Sequence, residues 1–302
     1  MSRVANLNAW AQNQVIALDA WARPWARARR WRSWVYEFLL FGLKQAFACI
    51  FGGLMLGLIV ATHMWWPANA PVARYDFLVV AAIAIQAGLL LFRLERWDEA
   101  LVILIFHVVG TIMEVFKTAH GSWIYPEPSL LRIGGVPLFS GFMYACIGSY
   151  IARITRLFDI RFIRYPPEWT TWVLAVGAYA NFFTHHYLPD IRLGLYAFSV
   201  LIFWRSWFQF TPDDKPRRMP VILGLVLVSL FIWFAENLGT LTSAWVYPDQ
   251  REGWRLVSIQ KLGAWYLLML LSWVLVTLVH RPAGPEAPPK NKPIAEGGGV
   301  AD

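Results

Sequence analysis

The chain has 302 residues, 58% of them hydrophobic and only 15% charged, with 18 Trp and 20 Phe. Soluble domains carry about 25% charged residues, so this composition excludes one and assigns an all-α polytopic membrane protein. A formal net charge of +8 does not signal a nucleic-acid partner, because the basic residues fall on alternate predicted loops instead of forming one patch.

Residues 1–37 place Trp10, Trp21, Trp25, Trp31 and Trp34 among Ala and Arg at roughly helical spacing. That pattern predicts a basic, Trp-rich arm lying in the headgroup plane, a membrane anchor or a partner-binding segment. It has no short apolar core followed by a small-residue cleavage site, so no cleavable signal peptide is expected. Apolar runs long enough to cross about 30 Å of hydrocarbon at about 1.5 Å per residue come next, at 46–65, 76–92, 99–118, 136–152, 169–188, 191–208, 219–240 and 260–280. They predict about eight transmembrane helices. Gly53-x3-Gly57 in the first reads as a site of close helix approach. Cys49 and Cys146 fall inside spans and read as small buried hydrophobes with no disulfide framework. Residues 153–168 read as a basic linker ending in Pro166-Pro167, Thr211 to Pro220 as a polar loop, and 282–302 as a cytoplasmic tail too polar to fold. With the N-terminus inside, the inner segments hold 19 Lys and Arg and the outer ones 7. This asymmetry predicts two cytoplasmic termini in a bacterial inner membrane.

The sequence also repeats itself at a fixed offset of 122 residues. Glu114-x8-Trp123-x-Tyr125-Pro126 recurs as Glu236-x8-Trp245-x-Tyr247-Pro248, and Thr62-His63-x3-Pro67 recurs as Thr184-His185-x3-Pro189. Thr118, Gly141 and Tyr144 match Thr240, Gly263 and Tyr266. Separate blocks in one register imply a duplicated unit, residues 38–152 and 169–281. Each unit holds four predicted spans. An even number keeps both copies in one orientation, so a pseudo-twofold axis is expected along the membrane normal.

The topology then puts His63, Glu114, His185 and Glu236 near the outer ends of inside-to-outside spans, at one depth, as candidate catalytic residues. A carboxylate in hydrocarbon is costly and normally faces a bundle interior or cavity. The structural alternative is a packing bond such as Glu114 to Lys117, although the matching position to Lys117 is Gly239. Trp123, Tyr125, Trp245, Tyr247 and Lys117 are candidate substrate-binding residues; the four aromatics equally suit an interfacial belt. The two histidines could relay protons or cap helices. His120 and His186 could join these groups in a zinc or iron site, but no compact ligand pair exists. No phosphate-binding loop or dinucleotide motif occurs, so no nucleotide is expected and the residues name no cofactor.

The run from His107 to Tyr150, with Glu114, Lys117, His120, Trp123, Tyr125, Pro126 and then Gly134-Gly135-Val136-Pro137-Leu138, resembles an uncharacterised family of bacterial multi-pass proteins known as a domain of unknown function. The resemblance covers nearly all of the chain beyond the arm. The same element is also similar to the motif of membrane carotenoid hydratases, which add water to a terminal isoprenoid double bond. That second likeness spans about forty residues; the second copy departs from it, with Ser243 in place of Gly. It implies Glu114 as proton donor, Trp123 and Tyr125 beside the developing cation, and Glu236 with His185 handling water. The resulting expectation is an acid-base enzyme on an isoprenoid-like membrane lipid. A small-solute or proton carrier and a non-catalytic scaffold are the alternatives, and the oligomeric state is left open.

Overall fold

A computed structural model of the chain describes residues 20–277 and residue 279. The first half of the arm, with Trp10, and the tail at 282–302 lie outside the described residues. A helical stretch at 20–27 precedes nine longer helices: α1 (Arg30–Ala48), α2 (Ile50–Trp65), α3 (Arg74–Leu91), α4 (Trp97–Ala119), α5 (Phe139–Leu157), α6 (Glu168–Thr184), α7 (Arg192–Phe203), α8 (Val221–Leu241) and α9 (Gln260–Thr277). Helices α5 and α9 lie at the centre. The first packs on α1, α2, α3 and α4, the second on α6 and α8, and the two touch each other.

Among the described residues, α3, α4, α8 and α9 are long and apolar enough to cross a membrane, and α1 with α2 makes a fifth if the bent pair is one span. Their outward faces stay apolar, with Val80, Ile83, Leu101, Leu104 and Phe231 all exposed. Lipid is the solvent such a surface needs. The chain is therefore a helical membrane protein.

Several expectations change. The first predicted span breaks at Cys49, where α1 and α2 meet at 68°. Cys49 is exposed there, not a buried hydrophobe. The broken helix end is held by the buried Arg153, which donates to the Phe47 carbonyl at 3.3 Å. Gly53 and Gly57 face open space, with no neighbour within 4 Å of where a Cβ would sit, so neither marks a close helix approach. The sixth span ends early, because α7 has only 12 residues.

The chain leaves α7 as a strand, and the linker and polar loop are strands too. β3 (Arg161–Ile163), β4 (Trp207–Phe210) and β5 (Arg217–Pro220) form an antiparallel sheet in the order β3-β4-β5, with Phe162 opposite Phe208 and Phe208 opposite Met219. The arm reaches this sheet through Arg23, 3.1 Å from Asp213 and from Asp214, and through Glu37, 2.5 Å from Arg217. The shorter hairpin, β1 (Arg132–Ile133) with β2 (Val136–Pro137), turns on Gly134 and Gly135. Their φ values of +57° and +82° are those the tight hairpin turn requires of both central residues.

Two polar clusters fix the loops around the site. Asp76 at the start of α3 accepts the backbone amides of Leu130 and Leu131 at 2.8 to 3.0 Å. Its neighbours Arg74 and Tyr75 donate to the carbonyls of Thr242 and Ala244 beyond α8, at 3.3 and 3.0 Å. At the opposite ends of the helices, Arg153 and Glu95 have fully buried side chains 3.0 Å apart. Ser149 donates to the same carboxylate at 2.9 Å, the extra hydrogen bonding that a buried ion pair needs.

Candidate functional site

Glu114 lies near the end of α4 and is 4% exposed. Three donors converge on it. Trp123 Nε1 and Tyr125 Oη donate to Oε2 at 2.7 and 2.6 Å, and Tyr144 Oη of α5 donates to Oε1 at 2.7 Å. The loop after α4 can double back because Gly121 adopts a left-handed φ of +67°, which returns Trp123 and Tyr125 over the helix end that precedes them. A buried carboxylate is tolerable only when its oxygens are satisfied in this way.

Glu236 near the end of α8 is also 4% exposed. It accepts from Tyr247 Oη on Oε1 and from Trp265 Nε1 of α9 on Oε2. The two carboxylates are joined by aromatic contacts. Trp123 on Glu114 meets the Tyr247 ring edge-on at 6.0 Å, and Tyr144 meets the Trp265 ring at 6.4 Å. An indole N–H can only donate. In each carboxyl group Oε2 therefore accepts from an indole, while Oε1 faces only a phenol, which can accept as well as donate. Burial, and next the nearby carboxylates, push the Tyr125 and Tyr247 phenols in the loops well above their ordinary value, so both keep their protons.

Both glutamates line a cavity of about 350 Å³. Its walls are largely apolar: Gly52, Gly53 and Leu56 of α2, Met143 and Ile147 of α5, Ile232 and Ala235 of α8, and Leu268 of α9. Three lining residues, Cys49 at the α1–α2 break, Gly53 on α2 and Phe231 on α8, are exposed.

Of the residues singled out from the sequence, Glu114, Glu236, Trp123, Tyr125, Trp245 and Tyr247 all line this cavity. His63 does not: it is exposed at the end of α2. Trp245 departs from its counterpart Trp123. Its ring packs over Gly239, where an added Cβ would lie 2.1 to 2.7 Å from the ring atoms. The matching position in the first copy is Lys117, which leaves no such space, and Trp123 instead turns its N–H to Glu114.

Lys117 is not bonded to Glu114. Its Nζ lies 3.1 Å from His185 Nε2 and 2.9 Å from His186 Nε2, and 4.4 Å from the Phe182 ring. His185 donates from Nδ1 to the Asn181 carbonyl at 2.7 Å, which leaves Nε2 as the acceptor for a charged lysine. His185 therefore serves Lys117 and not Glu236. His120 stacks on His186 at 5.0 Å and bonds Tyr187 Oη. Among the described residues no group of three or more His, Cys, Asp or Glu is placed to hold a metal, and an ammonium group occupies the centre of this histidine cluster. Next to it, Asp190 accepts from Arg192 Nε at 2.5 Å and from Asn181 Nδ2 at 3.1 Å. The Arg192 bond holds the Asp190 carboxyl well below the usual carboxylate range.

Sequence reasoning missed three members of the site. Tyr144 recurs at the 122 offset with Tyr266 and could have been found by that signal. Trp265 corresponds to Met143 and carries no such mark, and neither does Lys261, whose Nζ sits 4.2 Å from the Tyr247 ring and 5.3 Å from that of Trp123.

Residues 37–273 match the family described as "Protein of unknown function (DUF817)". An uncharacterized protein of Bacillus subtilis, YoaT, is 36% identical over 242 residues, covering 80% of this chain and 91% of that protein. Among solved structures, the mycobacterial Insig homolog MvINS from Mycobacterium vanbaalenii aligns with a TM-score of 0.43 at 13% identity, covering 62% of this chain and 97% of that one. A cross-linked MvINS trimer aligns equally, at 14% identity.

Proposed function

Since the chain belongs to the DUF817 family of bacterial membrane proteins of unknown function, we propose its function from the site alone: an enzyme that admits an apolar, isoprenoid-like lipid chain into the cavity and acts on it by acid-base chemistry at Glu114 and Glu236. One observation carries the reading. An apolar cavity of about 350 Å³, within the range of small-molecule sites, has exposed lining residues and two buried carboxyl groups on its wall. In each carboxyl Oε1 meets only a phenol and can exchange a proton there, while Oε2 is held by an indole. One glutamate can then deliver a proton while the other accepts one, the division of roles that paired carboxyls permit. The aromatic faces of Trp123 and Tyr247 suit a developing cation.

The same proposal takes the site to lie between two parallel four-helix repeats. The helices of residues 50–157 fall on those of 168–277 at the offset of 122, α2 on α6, α3 on α7, α4 on α8 and α5 on α9. The contacts between halves include α2 with α8 and its counterpart α4 with α6, while α5 meets α9. Ile124 and Val246, equivalent at that offset, exchange backbone hydrogen bonds of 3.0 and 2.9 Å with each other. An antiparallel pairing of equivalent positions is what a twofold between the halves would give, and it supports that reading. Cytoplasmic termini in a bacterial inner membrane complete the reading, and a C-terminal reporter that proved extracellular would overturn that orientation.

The test is lipid extraction and mass spectrometry of a deletion strain complemented with the wild-type gene, Glu114→Gln or Glu236→Gln. Both variants are expected to leave a lipid unconverted that the wild type converts. Unchanged lipids in all strains would sink the enzyme and favour a carrier.

A further inference from the structure

A second cavity, of about 320 Å³, adjoins the first, and the two share Trp123, Phe182, Lys261, Ala264 and Leu268 as a common wall. Its chemistry is the opposite of its neighbour's. Lys117 of α4, Lys261 of α9 and Arg192 at the start of α7 all line it, with Ser122, Ser258 and His185. No acidic residue lines it among the described residues. Arg192 already has Asp190 as a partner. Lys117 and Lys261 have none: among the described residues neither comes within 4 Å of a carboxylate. Lys117 is only 5% exposed, and its neighbours are two imidazole nitrogens and a Phe ring. Lys261 rests on two aromatic faces.

Removing an ammonium group from water without a counter-ion is costly, and proteins normally pair it. Two such groups, from different helices, around one cavity with no acidic residue in its lining, make a site that an anion would complete. We propose that this second cavity binds a phosphate-class headgroup, held by Lys117 and Lys261, whose apolar chain lies in the first cavity. The inference rests on the lipid reading above and names the substrate class, a phosphorylated amphiphile instead of a neutral one. A phosphate ester carries about −1.5 to −2 charge at neutral pH and three acceptor oxygens, which matches two ammonium groups with the Ser122 and Ser258 hydroxyls beside them. A single carboxylate would satisfy one lysine and leave the other bare. The common wall sets the geometry: Lys261 lines both cavities, so a headgroup on it is contiguous with a chain running toward Glu114 and Glu236.

The experiment measures binding of farnesyl monophosphate, farnesol and inorganic phosphate to the purified full chain in detergent micelles by thermophoresis. It compares the wild type, the double variant Lys117→Gln with Lys261→Gln, and the charge-preserving Lys117→Arg with Lys261→Arg. The wild type should bind farnesyl monophosphate at least about tenfold more tightly than farnesol, because charge-assisted bonds are roughly twice as strong as neutral ones, a difference of about tenfold in affinity. The Gln pair should lose that preference, and the Arg pair should keep it. Equal binding of the two amphiphiles by the wild type overturns the headgroup site but leaves the lipid reading standing. A preference that survives the Gln pair also overturns it. Failure of both amphiphiles to bind sinks the lipid reading with it. Inorganic phosphate bound as tightly as farnesyl monophosphate would assign the site to a free anion, against the proposal.

Discussion

Deleting one hydroxyl at each of two matched tyrosines separates what the carboxylate site contributes from what any buried tyrosine contributes. Tyr144 and Tyr266 lie 122 residues apart on the two central helices. Tyr144→Phe removes the donor on Glu114 Oε1 at 2.7 Å, and the other two donors both sit on Oε2. One oxygen of a buried carboxyl is then left bare. Tyr266→Phe removes a hydroxyl 3.0 Å from Ser199 Oγ, but Ser199 still donates to the Tyr196 carbonyl at 2.8 Å. No charged group is orphaned. Hydrogen bonds to charged groups contribute about 1.5–3 kcal/mol, while polar pairs within membrane proteins average about 0.6 and reach about 1.7 kcal/mol. Tyr144→Phe should therefore cost about 1.5–2 kcal/mol and Tyr266→Phe about 0.5. Reversible unfolding in mixed micelles of mild detergent and SDS resolves a difference of that size. If Tyr266→Phe proves as destabilising as Tyr144→Phe, Glu114 is not the acceptor that gives position 144 its importance.

Two further measurements address the packing and the loop. Gly239→Ala places a methyl 2.1 to 2.7 Å from the Trp245 ring, an overpacking of about 1–3 kcal/mol that the better helix propensity of Ala, about 1 kcal/mol, only partly offsets. Gly57→Ala meets nothing within 4 Å and should be neutral or slightly stabilising; the reverse order of the two midpoints would contradict the position of the Trp245 ring. Asp190 has its folded pKa lowered by Arg192, so its contribution is complete above the unfolded value of about 3.9 and is lost as pH falls below it. The thermal midpoint of the wild type should drop more steeply between pH 5 and pH 3 than that of Asp190→Asn, and parallel curves would refute the assignment.

The helices were legible wherever apolar length alone decides, as at α4 and α8, whose glutamates sit where the pattern put them. The break at Cys49 was not, because no proline marks it and its anchor, Arg153, lies 106 residues beyond the carbonyl it holds. The β3-β4-β5 sheet was hidden for a similar reason: its strands are three and four residues long and come from segments that read as linker, loop and the end of an apolar span. At the site, the tyrosines and tryptophans after each glutamate were visible as a repeat, but their role as donors was not, since interfacial belts use the same residues. His63 lies apart from the cavity although its position recurs at the offset of 122, because a recurring residue need not keep a recurring environment. It is exposed, whereas its counterpart His185 is drawn in by Lys117, a residue the second copy lacks.

That asymmetry bears on how the two halves divide their work. Position 117 carries a lysine and its counterpart 239 a glycine, and this one difference propagates in two directions. In the first half the lysine gathers His185 and His186 and helps build the cationic cavity, while Trp123 turns its N–H onto Glu114. In the second half the glycine admits the Trp245 ring, so Glu236 loses that indole and recruits Trp265 from the next helix. Glu114 ends with three donors and Glu236 with two. On the acid-base reading proposed above, that difference in donors is one way to divide the roles of acid and base between the two carboxyls. Removing the Tyr144 hydroxyl leaves two donors on each carboxyl and should bring the pair closer to equivalence. If Tyr144→Phe leaves the pH dependence of lipid conversion unchanged, donor number does not set the roles.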